Sequence, residues 1–224
     1  MADTVQTLME RMVPELQDLL DKGIFTDEEV RAIVQRRRNY EYVLKRRDPA
    51  RSDFFRYLEY EKQVEKLRKL RKSRLTIKKM GLSDSRPIQR IYYIYDRLLR
   101  RFQGDVAIWC EYLEFAIANK STKVVSKTFP KALQLHPLDA GLWIKAAAWE
   151  LEDNGNISAA RMMLQRGIRT IPGSSKLWHE YVQCVCACVC VCVCSRVRRA
   201  CVCGMKRCLG CMHCRNSLPV TGCV

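Results

Sequence analysis

A chain of 224 residues with 40 Lys/Arg against 24 Asp/Glu carries a net charge of +16, holds apolar residues enough for a core, and contains no run reaching the ~18 apolar residues of a membrane span. Its start, MADTVQTLMERMVPELQDLL, is acidic and amphipathic and lacks the apolar core of a secretory signal. Of its 13 cysteines only Cys110 precedes Cys184, so nothing in the first 183 residues implies an oxidising compartment, and the reading is a soluble, intracellular, mostly helical protein.

From Asp3 to Lys22 the apolar residues Val5, Leu8, Met9, Met12, Leu16, Leu19 and Leu20 recur at spacings of three and four, the period of an amphipathic helix. Pro14 predicts a kink or break near Val13, because proline removes a backbone donor. Gly23 fits a helix C-cap, and Thr26-Asp27-Glu28-Glu29 reads as a capping box that opens a second helix, with Phe25 packing back from the position before the cap. That helix carries Val30, Ile33, Val34, Val43 and Leu44 on one side and Arg36, Arg37, Arg38, Lys45, Arg46 and Arg47 elsewhere on its surface. Its end is predicted near Asp48-Pro49, since the residue before proline avoids helical geometry. Ser52 or Asp53 is the expected cap of the next helix, which runs from Phe54 through Tyr57, Tyr60, Val64, Leu67 and Leu70. Its second half is crowded with Lys62, Lys66, Arg68, Lys69, Arg71, Lys72 and Arg74.

Charge is therefore unevenly placed. Residues 31–79 hold 18 Lys/Arg against 6 Asp/Glu, whereas residues 1–30 hold 2 against 8. A basic block of this size suggests a polyanionic partner, either RNA or an acidic protein surface. The plain alternative is a solvated helix face. Twelve basic residues are the candidate contacts: Arg36, Arg37, Arg38, Lys45, Arg46, Arg47, Lys66, Arg68, Lys69, Arg71, Lys72 and Arg74.

Beyond the block one pattern recurs. Trp109, Trp143 and Trp178 fall 34 and 35 residues apart; fourteen residues before each stand Tyr95, Phe129 and Leu164, and six before each stand Gln103, Pro137 and Pro172. A period of about 34 marks stacked helix-turn-helix repeats. Phe54-x-x-Tyr57 repeats the spacing of Trp109-x-x-Tyr112, so a degenerate first repeat opens at Phe54; residues 72–87 lengthen its connection, and its second helix spans 88–102. Trp143 opens the third repeat, and Leu177 to Gln183 begin a fourth. Each aromatic pair faces a small residue on the second helix, Ala132 or Gly167. Phe54, Tyr57, Tyr95, Trp109, Tyr112, Phe129, Ala132, Trp143, Leu164, Gly167, Trp178 and Tyr181 are accordingly expected in the core, as packing rather than as a stack for bases.

Trp-x-x-Tyr followed by a second helix that closes on proline resembles the half-a-tetratricopeptide (HAT) repeat of RNA-processing proteins. The stretch LQDLLDKGIFTDEEVRAIVQRRRNYEYVLKRRDPARSDFFRYLEYEKQVEKLRKLRKSR resembles the opening region of the U-three small nucleolar RNA-associated protein 6 family, in which a Gly-Ile/Leu-Phe turn precedes a basic helix and the first repeat. The resemblance covers residues 1–183. It implies an all-α, HAT/TPR-like solenoid acting without catalysis as a scaffold subunit of the small-subunit processome, in nucleolar pre-rRNA processing and 18S rRNA maturation. Its implied partners are the U-three small nucleolar RNA, the pre-rRNA particle and other processome proteins, with no membrane, small-molecule substrate or cofactor. Family members carry many further HAT repeats. A generic helical adaptor for protein partners, its charge serving solubility, is the alternative.

The expected division is an N-terminal helical segment at 1–51, HAT repeats at 52–183 and an unfolded Cys-rich tail at 184–224. The tail opens as CVCACVCVCVC, which a TG dinucleotide tract read in frame would encode, so translated microsatellite or intron sequence accounts for it. A metal-binding reading rests on Cys201, Cys203, Cys208, Cys211, Cys214 and His213, whose spacing suits thiolate ligation of zinc but lacks paired knuckles around a folded loop. For an enzyme the ingredients are missing from the sequence: His136, His179 and His213 adjoin no nucleophile in a strand-turn-helix setting, and the glycines are scattered singly.

Overall fold

A computed structural model of the chain describes residues 2–76 and 80–197, with side chains over 4–76 and 80–186. The described residues form ten α-helices and no strand, in two compact units that divide between Ile108 and Trp109.

In the first unit, α1 (Ala2–Glu10) and α2 (Val13–Asp21) are separated at Arg11-Met12. The expected break into two short helices near Val13 is therefore present, and Pro14 sits in the first turn of α2, where its missing N–H would have had no intrahelical partner. Gly23, at φ +62°, closes α2 in a Schellman motif: the Ile24 N–H donates to Leu19 C=O at 3.1 Å and the Gly23 N–H to Leu20 C=O at 2.8 Å. Thr26 and Glu29 form a reciprocal capping box that starts α3 (Asp27–Leu44). The helix stops at Leu44, short of Asp48-Pro49, so Lys45, Arg46 and Arg47 belong to a loop. The next helix, α4 (Arg51–Arg74), has Ala50 at its N-cap, and Asp53 serves from the third position by accepting the Ala50 N–H at 3.1 Å. Helix α5 (Leu82–Arg101) begins six residues before the expected Ile88 and passes through Pro87. Asp84 accepts from the Gly81 N–H at 3.0 Å and Asp18 from the Ser83 N–H at 2.9 Å, which holds the early turn helical ahead of the proline. Helix α3 packs on α1, α2 and α4, and α5 packs on α2 and α4.

The second unit takes the chain from Trp109 in α6 (Val106–Ala118) through α7 (Thr122–Leu135), α8 (Ala140–Glu152) and α9 (Ile157–Thr170) to α10 (Ser175–Val197). Asp139 and Asn156 cap α8 and α9 by accepting from the Leu142 and Ala159 N–H groups. The 34-residue spacing has a visible cause. The Trp143 indole N–H donates to Pro137 C=O at 2.9 Å and the Trp178 indole to Pro172 C=O at 3.0 Å, so each proline six residues upstream ends one helix and holds the tryptophan of the next. Gly167 is the notch for Trp143: a Cβ there would lie 3.0 Å from Trp143 Cγ and 3.3 Å from Leu177 Cδ2.

Phe54, Tyr57, Tyr95, Trp109, Tyr112, Phe129, Ala132, Trp143, Leu164 and Gly167 are buried. Trp178 is not, at 48 % exposure, and Tyr181 is half-buried. Helix α10 turns Leu177 toward α9 and leaves Trp178 on its outer side, where no described helix lies over it. Helix α10 runs past Cys184, which is buried, as far as Val197, and residues 198–224 of the Cys-rich tail lie outside the described residues. Residues 184–197 contain neither Gly nor Pro, so nothing local stops the helix. The candidate metal ligands Cys201, Cys203, Cys208, Cys211, Cys214 and His213 lie outside the described residues.

Candidate RNA- or partner-binding surface

Four helices of the first unit each contribute one charged side chain to a buried cluster: Glu15 from α2, Arg37 from α3, Glu61 from α4 and Arg90 from α5. The Arg37 guanidinium grips Glu61 through Nε at 2.7 Å and Nη2 at 2.9 Å, and its Nη1 lies 3.8 Å from Glu15 Oε1. Arg90 donates to both oxygens of Glu15 and lies 3.5 Å from Glu61. Alongside, Arg97 reaches Glu41 at 2.8 and 3.1 Å. Burial alone would raise the Glu61 pKa, but the two guanidiniums outweigh it and hold the carboxyl below its usual value. The same burial, with Glu61 and Glu41 near, pushes the Tyr57 hydroxyl well up.

A second set of pairs ties the basic end of α4 to its neighbours. Arg68 donates to Glu65 at 2.7 and 2.9 Å and to Asp84 at 2.7 Å, and Lys72 reaches the same Asp84 oxygen at 2.7 Å. Arg71 donates to Glu29 at 2.6 and 2.7 Å and to Ile24 C=O at 3.1 Å, with its guanidinium over the Phe25 ring. The Arg71 hydrogen bonds hold Glu29 down to about 2. At Asp18 burial pushes upward, and hydrogen bonds from Lys22 and Ser83 overcome it, leaving a value of about 2.

These contacts sort the twelve candidate basic residues. Arg37 and Arg68 are buried in ion pairs, which corrects their expected place on an outer contact face. Arg71 and Lys72 are half-buried and engaged, and Lys69 lies 3.5 Å from Glu65 while staying exposed. Arg36 is exposed with its guanidinium over the Tyr60 ring, and Arg38 and Lys45 are half-buried. Arg46, Arg47, Lys66 and Arg74 are exposed. A helix surface rich in arginine was legible; which arginines turn inward was not, because their partners Glu15, Glu61 and Asp84 lie 22, 24 and 16 residues away from Arg37 and Arg68.

Three further arginines, read in sequence only as part of a repeat helix, complete a site. At the ends of α3 and α5 an open pocket of about 740 Å³ has an apolar floor of Leu44, Pro49, Phe54 and Phe102. Phe54 and Phe102 meet edge to face at 6.2 Å. Its rim carries Arg46, Arg97, Arg100, Arg101 and Asp48. Arg97 is held by Glu41, and Arg101 by Asp48 and Arg47 C=O. The side chains of Arg46 and Arg100 make no hydrogen bond or ion pair among the described residues. The adjacent pair Arg100-Arg101 just before Phe102 is the sequence signal that could have drawn attention here. No group of three metal-ligating side chains comes together among the described residues, and no described helix is long and apolar enough to cross a membrane.

Paired helices stacked in a repeat-like arrangement, with an arginine-rimmed pocket and a charge-locked first unit, define an all-α helical-repeat protein with a basic surface. Residues 9–91 match the family model described as U3 small nucleolar RNA-associated protein 6. The chain is 38% identical over 182 residues to "U3 small nucleolar RNA-associated protein 6" of Schizosaccharomyces pombe, covering 81% of this chain and 37% of the relative. It is 32% identical over 183 residues to the homolog of Homo sapiens, covering 81% and 30%, and 27% identical over 179 residues to that of Dictyostelium discoideum, covering 80% and 29%. The chain belongs to the U3 small nucleolar RNA-associated protein 6 family. It spans about a third of the length of these relatives.

Proposed function

We propose that the chain acts in ribosome biogenesis as a non-catalytic scaffold subunit of the small-subunit processome, in nucleolar pre-rRNA processing toward 18S rRNA. The observation that carries this reading is the family match over residues 9–91, the segment that contains all four members of the buried Glu15–Arg37–Glu61–Arg90 cluster. The relatives are named for association with U3 small nucleolar RNA, and the basic surface suits contact with that RNA, with the pre-rRNA particle or with acidic faces of other processome proteins. In the first unit the buried carboxylates of Glu15, Glu41, Glu61 and Glu65 all pair with arginine, an arrangement suited to holding helices rather than to proton transfer.

The test is co-sedimentation of the tagged chain with nucleolar particles containing U3 RNA, with precipitation of that RNA. Recovery of the chain only in light fractions, with no U3 RNA, removes the reading. A second reading, an adaptor for protein partners without an RNA role, is favoured by one observation: Arg37, Arg68, Arg71 and Lys72 are consumed by internal pairs. Particle association that survives ribonuclease treatment would favour it. Charge reversal at Arg68, Lys69, Arg71 and Lys72 does not discriminate, because three of these hold the first unit together; Arg46, Lys66 and Arg74 are the informative positions.

A further inference from the structure

We propose that the pocket at the ends of α3 and α5 binds one unpaired nucleotide of a single-stranded RNA, its phosphate on Arg46 and Arg100 and its base against Phe102. The inference deepens the proposed role in pre-rRNA processing and rests on it for the identity of the polymer. Several arginines elsewhere in this unit are spent on carboxylates, among them Arg37 on Glu61, Arg68 on Asp84, Arg71 on Glu29 and Arg90 on Glu15. On the pocket rim four arginines face two carboxylates, Glu41 behind Arg97 and Asp48 beside Arg101. Two positive charges are left without a counterion across one concavity, an arrangement that an incoming anion relieves.

The choice of anion follows from the floor. A guanidinium fork matches either phosphate or carboxylate, so the rim alone does not decide. Beneath it Phe102, half-buried and braced edge-on by Phe54, leaves ring surface open in the pocket. A flat aromatic beside free arginines is the pairing that single-stranded nucleic acid uses, stacking any base on the ring while the backbone runs along the charges. A volume of about 740 Å³ is within the range of ligand sites, and the pocket is open to solvent rather than enclosed, as a site for one residue of a polymer must be. A duplex, with its bases stacked internally, has none to offer Phe102.

The experiment is fluorescence anisotropy of the full chain with a labelled ten-nucleotide single-stranded RNA, the corresponding duplex and a polyglutamate peptide, at several salt concentrations. The variants are Arg46→Ala with Arg100→Ala, and separately Phe102→Leu and Phe102→Tyr. The double variant is expected to bind the single strand about tenfold or more weakly, with a log–log salt slope smaller by about 1 to 2. Helix content and melting stay unchanged, since neither arginine has an internal partner. Phe102→Leu should lose about tenfold while Phe102→Tyr, which keeps the ring, retains binding. Wild-type affinity in the double variant overturns the pocket. So does duplex binding as tight as the single strand, and polyglutamate binding that outcompetes RNA makes it an acidic-peptide site instead. None of these outcomes touches the processome role, which sedimentation with U3 RNA decides separately.

Discussion

The two units of this chain assemble helix pairs with different adhesives. In the first, Glu15, Arg37, Glu41, Glu61 and Arg68 are buried and paired across helices, with Glu65 bracing Arg68 within α4; in the second, the only buried polar side chain among the described residues is that of Thr128, and the helices meet through Trp109, Trp143, Trp149, Ala132 and Gly167. Shape packing tolerates only the partner that fits the notch. Paired charges instead fix which helix lies opposite which, at the cost of removing each ion from water. The difference is readable in solution, because all 4 tryptophans lie in the second unit while helical circular dichroism reports both.

The largest effect is expected at Arg37. Arg37→Ala takes both hydrogen bonds from buried Glu61 and leaves Glu61 and Glu15 to share Arg90 alone, and losing one half of such a buried pair costs about 3–5 kcal/mol. Denaturation followed by circular dichroism should show the first unit unfolding early, while tryptophan fluorescence keeps its transition. Arg37→Met with Glu61→Leu should be milder than the single change. A single variant with unaltered transitions would falsify the structural role of the cluster.

Acid sharpens the contrast next. Asp18 and Glu29 have folded pKa values of about 2 against ordinary values of 3.8 and 4.5, and Glu61 and Asp84 are lowered too. A carboxylate lowered by folding contributes stability that is complete above its unfolded pKa and is lost as pH falls toward its folded one. The first unit should therefore weaken between about pH 4.5 and pH 2. Screening at a part-exposed Asp18 limits its share to about 1 kcal/mol. Melts at pH 7, 4 and 3 check this, and equal shifts in both signals would remove the distinction between the units.

A smaller, oppositely placed effect belongs to Gly167. Alanine there gains about 1 kcal/mol of helix propensity but sets a methyl 3.0 Å from Trp143 Cγ, the root of a ring pinned by its bond to Pro137. Overpacking of this kind costs about 1–3 kcal/mol, so a net loss of about 1 kcal/mol is expected, in the fluorescence transition alone. A gain in stability would show that Trp143 has room to move.

What was legible follows the range of the interaction. The capping box at Thr26, the Gly23 turn and the Trp143–Pro137 spacing depend on residues within six positions of each other, and local chemistry specifies them. The helical class was legible for the same reason, since a period of 34 repeats local rules. The inward turn of Arg37 was not, because its carboxylates arrive from α2 and α4 only after those helices pack. Nor was the pocket, which joins Arg46 of one loop to Arg100 and Phe102 at the end of α5, more than fifty residues on. Pro87 misled for a related reason: a proline reads as a boundary, but Asp84 and Asp18 hold the preceding turn helical through contacts at Gly81 and Ser83.

The smallest expected effect tests the outer end of the second unit. Trp178 occupies the repeat position of Trp143 and makes the same indole bond to an upstream proline, yet it is 48 % exposed where Trp143 is 8 % exposed. Sequence register alone predicts equal costs for the two. Burial predicts otherwise: Trp143→Ala opens a cavity against Gly167 and should cost about 3–5 kcal/mol, whereas Trp178→Ala removes a ring that water already reaches and should cost under about 1 kcal/mol. Chemical denaturation of the two variants, each followed by the remaining tryptophans, gives the comparison directly. Should Trp178→Ala cost as much as Trp143→Ala, the outer face of α10 is covered in solution, and a dependence of that cost on protein concentration tells whether a second molecule covers it.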